Sequence, residues 1–274
     1  MSERSERGGP RVVAIGGGHG LAATLRAARA YAGELTAVVS VADDGGSSGR
    51  LRDLTGLPAM GDIRRCLSAL ADPTIPLSGV FETRSEGHAL GNLMIAALAH
   101  RSGDFTGAIG YFRDLLGVPA TILPATEVPV VLLADTDGGP VRGQVAIKQT
   151  MGIKRVTLDP PEPPAQAQAL AAIKHADQLV IGPGSLFTSV LAALAVPAIR
   201  DAVVASRAKT VYVANLADEL ETAGYDVAAQ VTALVEHGLQ PDVVISDPAR
   251  FATSGGRAHD PQALSLALAE LAVG

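Results

Sequence analysis

The stretch VVAIGGGHGLAATLRAARA, Val12–Ala30, narrows the choice of folds more than any other part of this chain. Arg11–Ile15 is a short β-branched run, the pattern of a strand buried on both faces. It breaks at a glycine cluster and gives way to helical spacing from Gly20 to about Tyr31, with Leu21, Leu25 and Ala28 on one face. Leu35–Val41, LTAVVSV, is a second buried run. Strand, helix and strand within about thirty residues form a βαβ unit, so the sheet begins parallel.

The remaining pattern extends this start. A long polar loop is expected over Ala42–Gly49, and helices over Asp62–Leu70, Gly91–His100 and Ala108–Leu116, with Asp62 as the N-cap of the first. From Ile122 to Leu158 the signal turns β-rich, and Asp137-Gly138-Gly139 reads as a hairpin turn. This predicts a small antiparallel insertion at about 122–158 in an α/β domain. The Pro-rich Asp159–Pro164 is the best linker candidate. Helix Gln166–Ala176, strand Gln178–Ile181, glycines at 182 and 184 and helix Leu186–Leu194 follow. Strands at Thr210–Leu216 and Asp242–Ser246 and helices at Val227–His237 and Gln262–Leu271 complete the chain. The expected organisation is a disordered tail over 1–10 and a single α/β nucleotide-binding domain over 11–274.

Composition removes several function classes. The 274 residues are 47% hydrophobic, enough for a large core. A net charge of −6 builds no basic field for nucleic acid or anionic lipid, and 3% aromatic content without Trp leaves few stacking platforms. No apolar run approaches the ~20 residues of a membrane span. Cys66 stands alone, which excludes an internal disulfide and a cysteine-based zinc site, and it reads as buried and inert. The six histidines form no H-x-x-x-H or H-E-x-x-H pair. A soluble cytoplasmic protein is expected, with neither nucleic acid nor membrane insertion among its roles.

Four stretches carry chemistry. Gly18-His19-Gly20-Leu21-Ala22-Ala23 fits G-x-G-x-x-A between a strand and a helix, the context of a dinucleotide fingerprint. Glycines let backbone N–H groups approach an anion, and a helix N-terminus adds roughly half a positive charge. The loop alone does not separate NAD from another nucleotide. In VADDGGSSGRLRDL, Asp43 and Asp44 could hold Mg²⁺, while Ser47 and Arg50 could hold phosphate; a mobile surface loop is the structural alternative. Gly45–Gly49 also matches the G-x-S-x-G nucleophile elbow. That reading is set aside because Ala42, Asp43 and Asp44 separate it from the strand and no His base is signalled. In GHALGN, His88 could act as a general acid or phosphate donor, and Asn92 could cap its helix or bond a base or ribose. In LVIGPGSLFTSV, the amides of Gly184 and Ser185, with the Ser185 and Thr188 hydroxyls, could hold a second phosphate, or Ser185 could simply cap the helix. Two such loops can grip a diphosphate from two sides.

Taken in order, GGGHGL, VADDGGSSGRLR, GDIRRCLSALA, GHALGNLMIAAL, GPGSLFTSV and VYVANL resemble the YvcK-like gluconeogenesis factors of the CofD-like (2-phospho-L-lactate transferase) superfamily. The resemblance runs from about Val12 to Asp247, and ADDGGSSGRLR followed by GDIR is its most specific part. It implies a Rossmann-like α/β fold with helices on both faces and a nucleotide diphosphate sugar as ligand, such as UDP-GlcNAc. It also implies a role linking central carbon metabolism to cell-wall synthesis and cell shape. Gly17, Gly18, His19 and Gly20 would cradle the diphosphate; Asp43, Asp44, Ser47 and Arg50 would close over it; Asp62, His88, Asn92, Gly184, Ser185 and Asn215 would complete the pocket.

Two alternatives stay open. One is a CofD-like transferase using Mg²⁺ at Asp43 or Asp44; the other is an NAD-dependent oxidoreductase. No cofactor beyond Mg²⁺ is implied, and homo-oligomerisation is left open. The chain departs from the family pattern at His19, at Ala59-Met60, at Ala192-Ala193, over 217–220 and in a shortened stretch between Asp247 and Arg257. These changes bear more on the sugar side of the pocket than on the phosphate side.

Overall fold

The computed structural model describes residues 8–216, 219–253 and 259–273. Most of the expected tail, the first half of the divergent stretch 217–220, and the last part of the shortened segment before Arg257 therefore lie outside the described residues. In chain order the strands are β1 (Arg11–Gly16), β2 (Glu34–Val39), the short pair β3 (Arg84–Ser85) and β4 (His88–Ala89), β5 (Thr121–Pro124), β6 (Val131–Thr136), β7 (Gly139–Arg142), β8 (Ile153–Asp159), β9 (Gln178–Ile181), β10 (Lys209–Val213) and β11 (Val243–Ile245).

Six of these strands build one parallel sheet in the order β11-β10-β9-β1-β2-β5. Counted along the chain, this is the 3-2-1-4-5-6 order of doubly wound nucleotide-binding folds. The chain leaves β1 toward β2 on one side and returns to β9 on the other. That reversal is the topological switch point, and right-handed crossovers on its two sides put helices on both faces. The central strand shows why the apolar pattern is unbroken: Val12–Ile15 are at most 2% exposed.

The first helices are α1 (Gly18–Ala28), α2 (Gly46–Thr55), α3 (Gly61–Leu70), α4 (Pro76–Glu82), α5 (Leu90–Ser102), α6 (Phe105–Leu115), α7 (Gln144–Lys148) and α8 (Ala167–His175). Leu21, Leu25 and Ala28 are all buried on α1, as their spacing requires. The helix after β9 starts with a wide π-type turn, Leu186–Val190, and continues as Leu191–Leu194; a further helix, Pro197–Ala205, was not legible in the sequence. The C-terminal helix Pro261–Val273 is tied to the sheet where Gln178 Nε2 donates to the Leu268 carbonyl at 2.9 Å.

Several expectations need correction. The polar loop expected through Gly49 ends at Gly45, where Asp43 Oδ1 accepts the Gly45 N–H at 2.9 Å and α2 begins, with Ser47 and Ser48 buried. Asp62 is not an N-cap: it sits inside the first turn of α3, and its side chain serves another loop. Asn92 does not cap α5, which starts from Ala89. The β-rich stretch divides between two sheets. Thr121–Pro124 pairs with β2 in the main sheet, and the excursion proper is the antiparallel sheet β7-β6-β8, with α7 between β7 and β8.

The excursion leaves and rejoins the main body at one place. Gln166 N–H donates to the Ala125 carbonyl at 3.2 Å, and Thr126 bridges Ala165. The Pro-rich Asp159–Pro164 is thus the return leg of the excursion. Ile147, Val156 and Leu158 from this unit belong to the same buried cluster as the main sheet, so the core is continuous.

Candidate functional site

A cavity of about 380 Å³ opens over the C-terminal ends of β1 and β9, the neighbouring strands at the switch point. Ile15 and Ile181 are register partners, so the two strands end level. Gly17, Gly18, His19 and Gly20 line one side, and Pro183, Gly184 and Ser185 the other. Both glycine loops face the same space.

Each loop is shaped by its neighbour. Gly18 has φ +65, a conformation that favours glycine. A Cβ on Gly20 would run into the Pro183 carbonyl, so glycine is what lets α1 lie against the second loop. Thr24 Oγ1 locks that approach by donating to the Gly182 carbonyl at 2.6 Å.

The donors at the two helix starts are partly taken. Gly18 N–H donates to Asp62 Oδ2 at 2.7 Å. On the second side, Phe187 N–H donates to Glu221 Oε1 at 2.9 Å and Thr188 Oγ1 to Glu221 Oε2 at 2.6 Å. Ser185 is not a side-chain cap either; its hydroxyl donates to Glu219 Oε1 at 2.8 Å. The His19 and Gly20 amides, next in the first turn of α1, meet no protein acceptor among the described residues. The glycine loop therefore offers fewer donors than its sequence implies, and side-chain cations supplement them. Arg65 lines the cavity and pairs with Asp62. Lys148 lines it from α7 and lies 3.6 Å from Glu219 Oε1.

The buried carboxyls respond to this setting. Burial pushes the Asp62 carboxyl above the usual carboxylate range, with Asp43 adding to the rise and Arg65 and the Gly18 N–H opposing it. Burial raises Glu221 likewise, against its bonds from Thr188 and Phe187. His19 is lowered, first by burial and then by Arg65, so its ring leans neutral.

Of the residues singled out from sequence, the structure brings Gly17, Gly18, His19, Gly20, Asp43, Asp62, Gly184, Ser185 and Asn215 to the cavity. It places Asp44, Ser47, Arg50, His88 and Asn92 outside the cavity lining. Asp44 is turned toward α7, where its Oδ1 accepts the Val145 N–H at 2.9 Å. The Asp43–Asp44 pair therefore does not present two carboxylates to one metal. Asp43 alone could hold Mg²⁺, which uses one or two carboxylates plus waters and phosphate oxygens; one of its oxygens is held by Gly45 and no donor among the described residues meets the other. Among the described residues, no three His, Cys, Asp or Glu side chains converge on a metal cage.

Ser47, His88 and Asn92 form their own cluster. Ser47 Oγ lies 3.0 Å from His88 Nδ1 and accepts from Asn92 Nδ2 at 3.0 Å. A histidine does stand beside the serine of the G-x-S-x-G match, which sequence spacing could not show. The elbow context is missing all the same, because β2 ends at Val39 and α2 starts at Gly46. Arg50 reaches the Glu86 carbonyl at 3.4 Å on the surface nearby.

Sequence reading missed Arg65, Gln144, Lys148, Glu219 and His259 as cavity residues. Arg65 stood within the quoted GDIRR, and Gln144 and Lys148 share an i, i+4 spacing that would have placed them on one face had α7 been foreseen. Gln144 Nε2 donates to the Thr188 carbonyl at 2.7 Å, docking the insertion onto the second loop. Glu219 stood within the divergent stretch 217–220, and nothing local flags His259.

A family model described as 2-phospho-L-lactate transferase CofD matches residues 12–257. A gluconeogenesis factor of Halalkalibacterium halodurans is 40% identical over 246 residues, 85% of this chain and 76% of its own length. One of Bacillus subtilis is 40% identical over 83% of this chain and 75% of its own. A Nostoc sp. protein is 43% identical, but this chain spans about half of its length, 52%. The crystal structure of a UPF0052 family member from Bacillus halodurans superposes with a TM-score of 0.89 at 33% identity, covering 95% of this chain and 98% of that one.

Proposed function

This chain belongs to the CofD family and to the gluconeogenesis factors, and from that premise we propose that it is a regulator that binds a nucleotide diphosphate sugar of the UDP-GlcNAc type. One observation carries the reading: two glycine loops, on strands that meet at the switch point, share one cavity with Arg65 and Lys148 on its wall. A diphosphate carries its charge on two linked groups, and this cavity faces it with amides from one side and cations from two elements. At about 380 Å³ the space lies in the range of small-molecule sites. Asp43, Asp62, Gly184, Ser185 and Asn215 complete the proposed pocket. The physiological role proposed is to couple central carbon metabolism to cell-wall synthesis and cell shape in the cytoplasm.

A transferase of the CofD kind is the second reading, favoured by the family match and by Asp43 at the cavity. Mg²⁺ at Asp43 would supply charge to neutralise a diphosphate.

Thermal-shift titration with UDP-GlcNAc, UDP-glucose, GDP and NAD, each with and without Mg²⁺, tests the assignment. Stabilisation by the UDP-sugars without turnover is the expected outcome. A Mg²⁺-dependent response to GDP alone would shift the reading to the transferase, and a response to NAD alone would overturn both.

A further inference from the structure

Two residues of the cavity lining stand apart from the rest. Glu219 and His259 each have a buried polar atom without a protein partner among the described residues: Glu219 Oε2 and His259 Nε2. Their other polar atoms are committed. Glu219 Oε1 accepts from Ser185 Oγ at 2.8 Å with Lys148 nearby, and the His259 ring bonds the Ala214 backbone. A histidine that donates one N–H to a carbonyl while neutral keeps a lone pair on the other nitrogen. Burial lowers the basicity of His259, which keeps the ring neutral. Both orphaned atoms are therefore acceptors.

We infer that Glu219 and His259 bind hydroxyl groups of a sugar in this cavity. The inference rests on the proposed nucleotide diphosphate sugar and names the residues that receive its hydroxyls. Buried acceptors without donors are unfavourable and rare in folded proteins, and a site built to hydrogen-bond a hydroxyl leaves such atoms waiting. A phosphate cannot fill this role, because it brings only acceptors to acceptors. A divalent cation is disfavoured by Lys148 beside Glu219 and by the lack of a third ligating His, Cys, Asp or Glu among the described residues. Hydroxyl groups donate and carry no charge, and so match both waiting acceptors. Ribose and a hexose both offer them.

Isothermal titration of the full chain with UDP-GlcNAc, UDP, 2′-deoxy-UDP and inorganic pyrophosphate tests this, using wild type, Glu219→Gln and His259→Phe. Glu219→Gln keeps the shape and the Ser185 contact but turns the waiting acceptor into a donor. Each variant is expected to lose at least tenfold affinity for UDP-GlcNAc and to keep wild-type affinity for pyrophosphate, with His259→Gln, which retains an acceptor, restoring part of the loss. If the loss persists with UDP and vanishes with 2′-deoxy-UDP, the hydroxyls are those of ribose; if it is confined to UDP-GlcNAc, they are those of the hexose. Variants that bind UDP-GlcNAc like wild type, or that lose pyrophosphate equally while melting at the wild-type temperature, would overturn this assignment. Wild type that binds pyrophosphate but no sugar nucleotide would overturn the ligand class and the assignment with it.

Discussion

At position 62 a carboxylate inside α3 accepts the Gly18 amide and pairs with Arg65, so one side chain consumes a backbone donor and holds a cation of the cavity wall. Its carboxyl is raised above the ordinary 3.8, chiefly by burial. A raised acid binds its proton more tightly folded than unfolded. Its stabilising contribution is complete below pH 3.8 and is lost as pH rises through the raised value. In urea unfolding across that range, the stability of Asp62→Asn relative to wild type should rise with pH; parallel profiles would contradict the direction of the shift. Asp62→Ala leaves the Gly18 N–H and Arg65 without their partner and is expected to lower stability by about 1–3 kcal/mol. The glycines, His19 and Asp43 could be picked out from sequence because their neighbours in the chain make their context. Arg65 and Glu221 could not: Glu221 acts on a loop remote in sequence, and Arg65 reaches the cavity through the packing of α3 against α1.

Among the elements, α7 shows most clearly what local pattern leaves out. QVAIK is five residues in a β-rich stretch, too short to display a helical period, and what fixes it is Asp44, more than a hundred positions earlier, accepting the Val145 N–H. Once in place it delivers Gln144 and Lys148 to the second glycine loop. A charged contact to phosphate contributes about 1.5–3 kcal/mol, so Lys148→Ala and Arg65→Ala should each weaken UDP-GlcNAc binding by roughly tenfold or more. Each should also flatten the salt dependence of binding, read by titration at two ionic strengths. Equal affinity at both would remove these cations from the site. By contrast, α1 and the two glycine loops were legible, because strand, glycine and helix follow one another without a gap.

At the scale of the molecule, the antiparallel excursion and the parallel sheet share one buried cluster. Heating followed by far-ultraviolet circular dichroism and by tyrosine fluorescence should therefore give coincident single transitions, as expected of one cooperative unit. A second step in the circular dichroism, with the tyrosine signal unchanged at the first, would mean that the excursion unfolds alone. No helix among the described residues is long and apolar enough by itself to cross a membrane.

The linear order of residues by itself determined the parallel α/β class, the two strand–glycine–helix units and the family, because buried strands, helix faces and tight turns are written in neighbours a few positions apart. Tertiary structure alone decided that both units open on one cavity, that Asp62 and Glu221 claim part of their amides, and that Ser47, His88 and Asn92 gather elsewhere. The physical reason is that strand order and side-chain burial are set by packing of the whole core, and those contacts join residues that no local period relates.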